Sequence, residues 1–351
     1  MKPFKRFAYI IPLILITITL CGCWDYKDIN HRVLPVVMAI SKEDGQYRVF
    51  LKIPESEEPR AKMQLVSAKG ETITQAVDNL SRNMEGSVDL LHVKIILLDR
   101  RIAEQGLIDL ISGFIRSRDI PNKALVAICN EDIATFYEKT KKGVTTYDFF
   151  EKNAGWTPEI SLTRVWEVYR SIHSSTRDAA LPIIQTGKAT PLEQIGSAII
   201  KKGKMVGQIS SEETLLYNAF KEESAQGKIE VSDHASVMIV SNSMDNKVEF
   251  NGKTPYMKSR INLKVVVMET RGNPSATLIK KELNDILTNR FNQLFSKIQK
   301  SEADIFGLGQ FYRSKISHEE LKNWRNVYLP NMNMDMRFHI EIQNEGFLRT
   351  T

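Results

Sequence analysis

Three short stretches bring together residue types that could do chemistry. Ser232-Asp233-His234 sets a hydroxyl, a carboxylate and an imidazole side by side, the components of a nucleophilic triad. On a strand, neighbouring side chains point to opposite faces, so these three cannot touch one another. His318-Glu319-Glu320-Leu321-Lys322 begins like the helix of a zinc protease but lacks the second histidine, and reads as a helix start. Gly307-Leu308-Gly309 lacks the third glycine and the preceding strand of a dinucleotide loop, and reads as a helix break. The six histidines, at 31, 92, 173, 234, 318 and 339, stand singly, with no second histidine at i+4 and no cysteine neighbour. Glu57-Glu58 sits in a loop bracketed by Pro54 and Pro59 and reads as solvated. The expectation is therefore a protein that is not an enzyme and has no metal site and no cofactor.

Cys23 is different, because its surroundings specify a modification. Lys2, Lys5 and Arg6 precede a mostly apolar run from Phe7 to Leu20, about 14 residues long, where a membrane-crossing helix needs roughly 20. Leu20-Cys21-Gly22-Cys23 then follows the order of a bacterial lipobox, with Cys21 where Ala, Ser or Thr is usual. Residues 1–22 are read as a lipoprotein signal peptide. The expected events are diacylglycerol transfer to the Cys23 sulfur, cleavage after Gly22 and acylation of the new amino terminus, with palmitate-type chains. Each buried methylene contributes about 0.8 kcal/mol, so three chains hold a folded domain on a membrane without help from protein charge.

Composition agrees with that reading. Of 351 residues, 42% are hydrophobic and 26% charged, which excludes disorder and a polytopic membrane protein. The formal charge is +6, but Lys2, Lys5 and Arg6 leave with the signal, so the remaining +3 gives no reason to expect nucleic acid. Cys21 leaves too and Cys23 is lipidated, so Cys129 has no disulfide partner and reads as a buried strand residue. The run Lys201-Lys202-Gly203-Lys204 reads as a solvated hairpin turn, with contact to anionic lipid as the competing possibility.

Elements are assigned by periodicity. Strands are expected over 36–40 and 47–53 as a hairpin, over 90–98 and over 124–129; helices over 72–84 and 103–115; and a helical patch over 131–137, 146–150 and 161–171. This strand–helix–strand rhythm implies a mixed α/β sheet. After a polar segment, 186–191, a second hairpin (196–200 and 205–209) leads into a helix preceded by Ser211. Strands over 229–240, 248–251 and 261–268 come next. A long amphipathic helix carries Leu278, Ile279, Leu283, Ile286, Leu287, Phe291, Leu294, Phe295 and Ile298 on one face. A short helix over 305–311 and a strand over 332–342 close the chain. The fold class is α+β, with mixed sheets and packed helices in several domains: residues 23–185 as a mixed α/β region of one or two subdomains, 186–191 as a linker, and 192–351 as a C-terminal α+β domain.

Several segments in this order resemble one family. They are Cys23-Trp24-Asp25-Tyr26-Lys27-Asp28-Ile29-Asn30; Gly70-Glu71-Thr72-Ile73-Thr74-Gln75-Ala76 with Asn79-Leu80-Ser81; and His92-Val93-Lys94-Ile95-Ile96. Further on come Gly196 to Gly207 leading into Glu212-Glu213-Thr214, and Ala303 to Gly309 followed by Asn323-Trp324. They resemble the Ger(x)C lipoproteins, the C subunits of spore germination receptors, across nearly the whole mature chain. Asp28 and Ser41 depart from the commoner Glu and Gly. The resemblance implies a non-enzymatic, lipid-anchored receptor subunit on the outer face of the spore inner membrane, partnered by a polytopic A subunit and a transporter-like B subunit in nutrient germination. The competing reading is a solute-binding lipoprotein of a transporter, which would have two similar lobes. Trp324 is expected in the core, and Trp24 at the membrane surface beside the lipid.

Overall fold

The computed structural model describes residues 31–54, 63–140, 150, 159–221 and 227–344. The export segment, Cys23, Trp24, Glu57-Glu58 and most of the helix expected over 146–150 lie outside the described residues. Strand β1 (Arg32–Val33) precedes the first hairpin, whose arms are β2 (Val37–Glu43) and β3 (Gln46–Pro54). The chain reverses at Asp44-Gly45, both at positive φ (50° and 82°), as a two-residue hairpin loop requires. β4 (Met63–Gly70) pairs antiparallel with β3. The chain then enters α1 (Ile73–Ser81), capped by Thr72, whose hydroxyl accepts from the Gln75 N–H at 3.1 Å.

β5 (Ser87–Val88) pairs with β1, and β6 (Ile95–Asp99) enters the main sheet. The strand expected over 90–98 is thus shorter, because Asp89 caps a 3-10 turn over Leu90–His92. The single helix expected over 103–115 is two, α2 (Arg100–Gln105) and α3 (Ile108–Ser117). Gly106, at φ 139°, breaks it, and Leu107 donates its N–H to the Gly203 carbonyl at 2.7 Å. β7 (Leu125–Cys129), α4 (Ile133–Thr140), α5 (Val165–His173) and β8 (Ala179–Thr186) follow, then the hairpin β9 (Leu192–Lys201) and β10 (Lys204–Ile209).

These strands form one eight-stranded sheet in the order β10-β9-β8-β7-β6-β2-β3-β4. Its centre, β2, β6, β7 and β8, is parallel, and antiparallel hairpins extend both ends. Helices α1, α3 and α5 pack over Met38, Ile96 and Val126 on one face; α4 packs over Ala39, Leu97 and Ala127 on the other. Burial on both faces explains why the central strands are continuous apolar runs. The mixed sheet expected from sequence is present. The linker expected over 186–191 is instead a turn inside this sheet, since Thr186 pairs with Leu192 and a Cβ on Gly187 would lie 2.3 Å from the Thr190 carbonyl oxygen. A small, polar, proline-containing stretch suits a tight turn as well as a linker, and only strand pairing separates the two.

α6 (Ser211–Phe220) begins one residue earlier than expected. Its cap is Ser210, whose hydroxyl accepts from the Glu213 N–H at 3.1 Å while the Glu213 carboxylate accepts from the Ser210 N–H at 2.8 Å. Ser210→Ala is expected to cost about 1 kcal/mol. The measurement is urea unfolding, which should show a lower midpoint with an unchanged slope.

A second, four-stranded sheet joins β11 (Lys228–Val231), β12 (Ala235–Phe250), β13 (Pro255–Thr270) and, after α7 (Ala276–Ser301) and α8 (His318–Leu321), β14 (Asn333–Ile342). β12 and β13 run 16 residues each, through polar stretches that interrupt the expected strands. Polar residues are tolerated there because one face alone is covered. The cover is α7, which buries Ile279, Leu283, Leu287, Phe291, Leu294 and Ile298, the stripe read from sequence. The helix expected over 305–311 is a 3-10 turn over Leu308–Tyr312, and a π-helical turn spans Trp324–Tyr328.

Candidate functional site

The eight-stranded sheet meets the C-terminal layer at a buried charge cluster. Asp178, just before β8, has a fully buried side chain, and Arg325, on the π-helical turn, is 4% exposed. The guanidinium grips both carboxylate oxygens: Nε donates to Oδ2 at 2.8 Å and Nη2 to Oδ1 at 2.9 Å. It also donates to the carbonyls of Ser174, Ser175 and Arg177 at 2.8–2.9 Å. Asp178 in turn accepts from the backbone N–H of Lys202 at 3.0 Å and of Asp304 at 2.8 Å.

Asp304 extends the cluster. It is wholly buried and accepts at 2.8 Å from the Leu308 N–H, the Gly309 N–H and the Trp324 indole N–H. Burial pushes its carboxyl up to about 6 against the pull of those donors, with the Asp178 charge adding to the rise. Gly309 cannot carry a side chain, because a Cβ would lie 2.8 Å from the Trp324 ring. With every carboxylate oxygen accepting from protein donors and both carboxylates buried, the cluster clamps the two layers together rather than facing a ligand.

Beside this clamp lies a cleft of about 520 Å³. Its floor is aromatic: Phe306 stacks on Phe220 and Tyr217 at centroid separations of 4.3 and 6.2 Å. Its rim carries Arg170 on α5, Arg177 next to the clamp, and Lys221 at the end of α6. Arg170 lies 4.6 Å over the Trp166 ring and 3.9 Å from Glu167; desolvation and the Arg177 charge both lower its affinity for its proton. Glu167 is itself engaged at the start of α5, accepting from the Arg164 N–H at 2.9 Å. Lys221 sits 5.0 Å over the Tyr217 ring.

The stretches singled out in the sequence fall elsewhere. Cys23, the expected site of S-diacylglycerol and N-acyl attachment, lies outside the described residues. Ser232-Asp233-His234 is not on a strand: it turns the chain between β11 and β12, with Ser232 at φ 49° and His234 near Glu282 at 3.6 Å. His318-Glu319-Glu320 starts α8 behind its cap Ser317. Gly307-Leu308-Gly309 supplies the N–H groups that Asp304 accepts, a role the sequence does not reveal. Lys202 turns the β9–β10 hairpin, and Lys201 pairs with Glu302 at 2.8 Å. Cys129 is buried, its thiol pushed up to about 12 by desolvation, which keeps it unreactive. Trp324 is fully buried, as expected. Among the described residues, no three or more His, Cys, Asp or Glu residues are grouped so as to hold a metal, and no helix is long and apolar enough to cross a membrane. Sequence reasoning missed Asp178, Arg325 and Arg177, which carry no local pattern, and the role of Asp304, which lies in the singled-out segment Ala303 to Gly309.

Residues 25–186 match the family model described as spore germination protein N-terminal domain, and residues 195–346 the one described as spore germination B3/GerAC like, C-terminal. Spore germination protein GerQC of Bacillus cereus is 22% identical over 339 residues, spanning 91% of this chain and 93% of that protein. The putative spore germination protein YfkR of Bacillus subtilis is 26% identical over 368 residues, spanning 94% and 93%. Among solved structures, the crystal structure of the GerBC protein has the same fold, with a TM-score of 0.57 at 17% identity over 86% of this chain and 96% of that one.

Proposed function

The chain belongs to the Ger(x)C family of spore germination receptor C subunits, and on that premise we propose that it is the lipid-anchored C subunit of a nutrient germinant receptor. The observation that carries this reading is the pair of family matches, which follow one another along almost the entire chain after residue 24. In this proposal Cys23 bears the lipid and holds the folded domains on the outer face of the spore inner membrane. The partners are a polytopic A subunit and a transporter-like B subunit, and the role is in assembly or function of the receptor rather than in catalysis. Acyl chains supply enough membrane affinity by themselves, and no helix among the described residues is built to cross a bilayer. The competing solute-binding reading asks for two similar lobes, whereas here a mixed eight-stranded sheet adjoins a four-stranded one.

Cys23→Ala is expected to move the protein from the membrane fraction to the soluble fraction and to impair nutrient germination. Tagged protein purified from detergent-solubilised dormant-spore membranes is expected to bring two polytopic membrane proteins with it. Membrane retention with normal germination in the variant would sink the proposal, and recovery of an ABC-type permease would favour the solute-binding reading.

A further inference from the structure

We propose that the cleft beside the clamp is a binding site for a small organic anion, a carboxylate or phosphate carried on a flat apolar body. Its volume of about 520 Å³ falls within the roughly 300–1,000 Å³ of small-molecule sites. Charge chooses the ligand's polar end. Arg170 and Arg177 both line the cleft; Asp178 is consumed by Arg325, and Glu167, 3.9 Å from Arg170, offsets one of the two guanidinium charges and leaves that of Arg177. Among the described residues, the Arg177 side chain has no hydrogen bond or ion pair. Two guanidiniums held near each other repel, and a bound anion would relieve that repulsion while accepting from planar forks suited to carboxylate or phosphate.

The floor chooses the other end. Tyr217, Phe220 and Phe306 back the cleft as a stacked, buried set only 1–6% exposed, and the apolar surface open to a ligand is that of Phe311, 40% exposed. A flat apolar body can pack against that exposed ring. The backbone is shaped to the same end: Gly307, at φ 72°, leaves the space that the Arg177 side chain uses, since a Cβ there would lie 3.0 Å from Arg177 Nε. The clamp fixes both walls, because Arg177 adjoins Asp178 and Gly307 follows Asp304 by three residues.

The test is calorimetric titration of the full-length protein in nonionic detergent with phenyl phosphate, benzoate and the neutral benzyl alcohol. Dihexanoyl-phosphatidylglycerol provides a separate arm. Saturable binding of at least one aromatic anion is expected, at least tenfold tighter than benzyl alcohol. Arg177→Gln should weaken it tenfold or more with the melting temperature unchanged, and Arg170→Gln on the exposed rim provides the same readout should Arg177→Gln fold poorly. Tighter binding of the soluble lipid than of phenyl phosphate assigns the site to a lipid headgroup; the reverse order assigns it to a free solute. No saturable binding by any of the anions, equal binding of benzyl alcohol, or affinity untouched by both arginine variants would overturn the proposal.

Discussion

Replacing Arg325 by alanine is expected to destabilise the fold by about 3–5 kcal/mol, the cost of stranding a buried carboxylate together with the groups that shared its partner. Asp178 would keep two backbone donors but lose the cation that neutralises it, and the carbonyls of Ser174, Ser175 and Arg177 would each lose a charged donor. Equilibrium unfolding in urea measures the loss. Arg325→Lys should recover only part of it, because an ammonium cannot reproduce the planar fork that meets both Asp178 oxygens. The double variant with Asp178→Ala should cost less than the sum of the two single changes by about 1–3 kcal/mol, since removing both charges leaves neither stranded. A loss below about 1 kcal/mol for Arg325→Ala would mean that water or local collapse replaces the guanidinium, and that the pair does not clamp the layers.

The second large effect is a pH dependence carried by Asp304. Its folded-state carboxyl is raised to about 6, above the 3.8 of an ordinary aspartate. Between those values the folded protein holds a proton that the unfolded chain has lost, so this group's contribution falls as pH rises through the window and is fully present below it. A rise of about two units corresponds to about 2 kcal/mol between pH 7 and pH 4, because at pH 4 the unfolded chain is still partly ionised. Asp304→Asn cannot titrate. The stability of the natural protein relative to that variant is therefore expected to improve by about that amount on acidification over the same range. A flat difference across pH 4–7, measured by urea unfolding at each pH, would show that the three N–H donors hold Asp304 ionised in spite of its burial. Other carboxylates act in the opposite sense: Glu131, for instance, is held below its usual range by Thr186 and Lys139, so the variant comparison isolates Asp304 where the total profile would not.

Much of the architecture was legible from local pattern. The hairpin of β2 and β3, the existence of α1, the run ending at Cys129 and the six-turn stripe of α7 all depend on residues within a few positions of one another, where periodicity and turn chemistry act directly. Other local readings were settled by distant partners. Residues 186–191 looked like a linker until β8 and β9 paired across them, and the helix over 103–115 split where Gly106 freed Leu107 to bond Gly203. The polar middle of β12 looked unlike strand because its outward face needs no apolar residues.

By itself the sequence determined the export segment and the lipid-attachment motif at Cys23 as expectations, the mixed α/β character of the sheet, and the ordered segments that place the chain in its family. Each is written in short runs of neighbouring residues. Only the tertiary structure decided the clamp and the cleft. Asp178 meets Arg325 across 147 positions and Asp304 across 126, and Arg170, Arg177 and Lys221 reach one rim from separate elements. A lone charged residue has no period and no neighbour to announce it. Its partner is chosen by burial, where an unpaired charge is too costly to leave, and burial is settled only once the sheets and helices have packed.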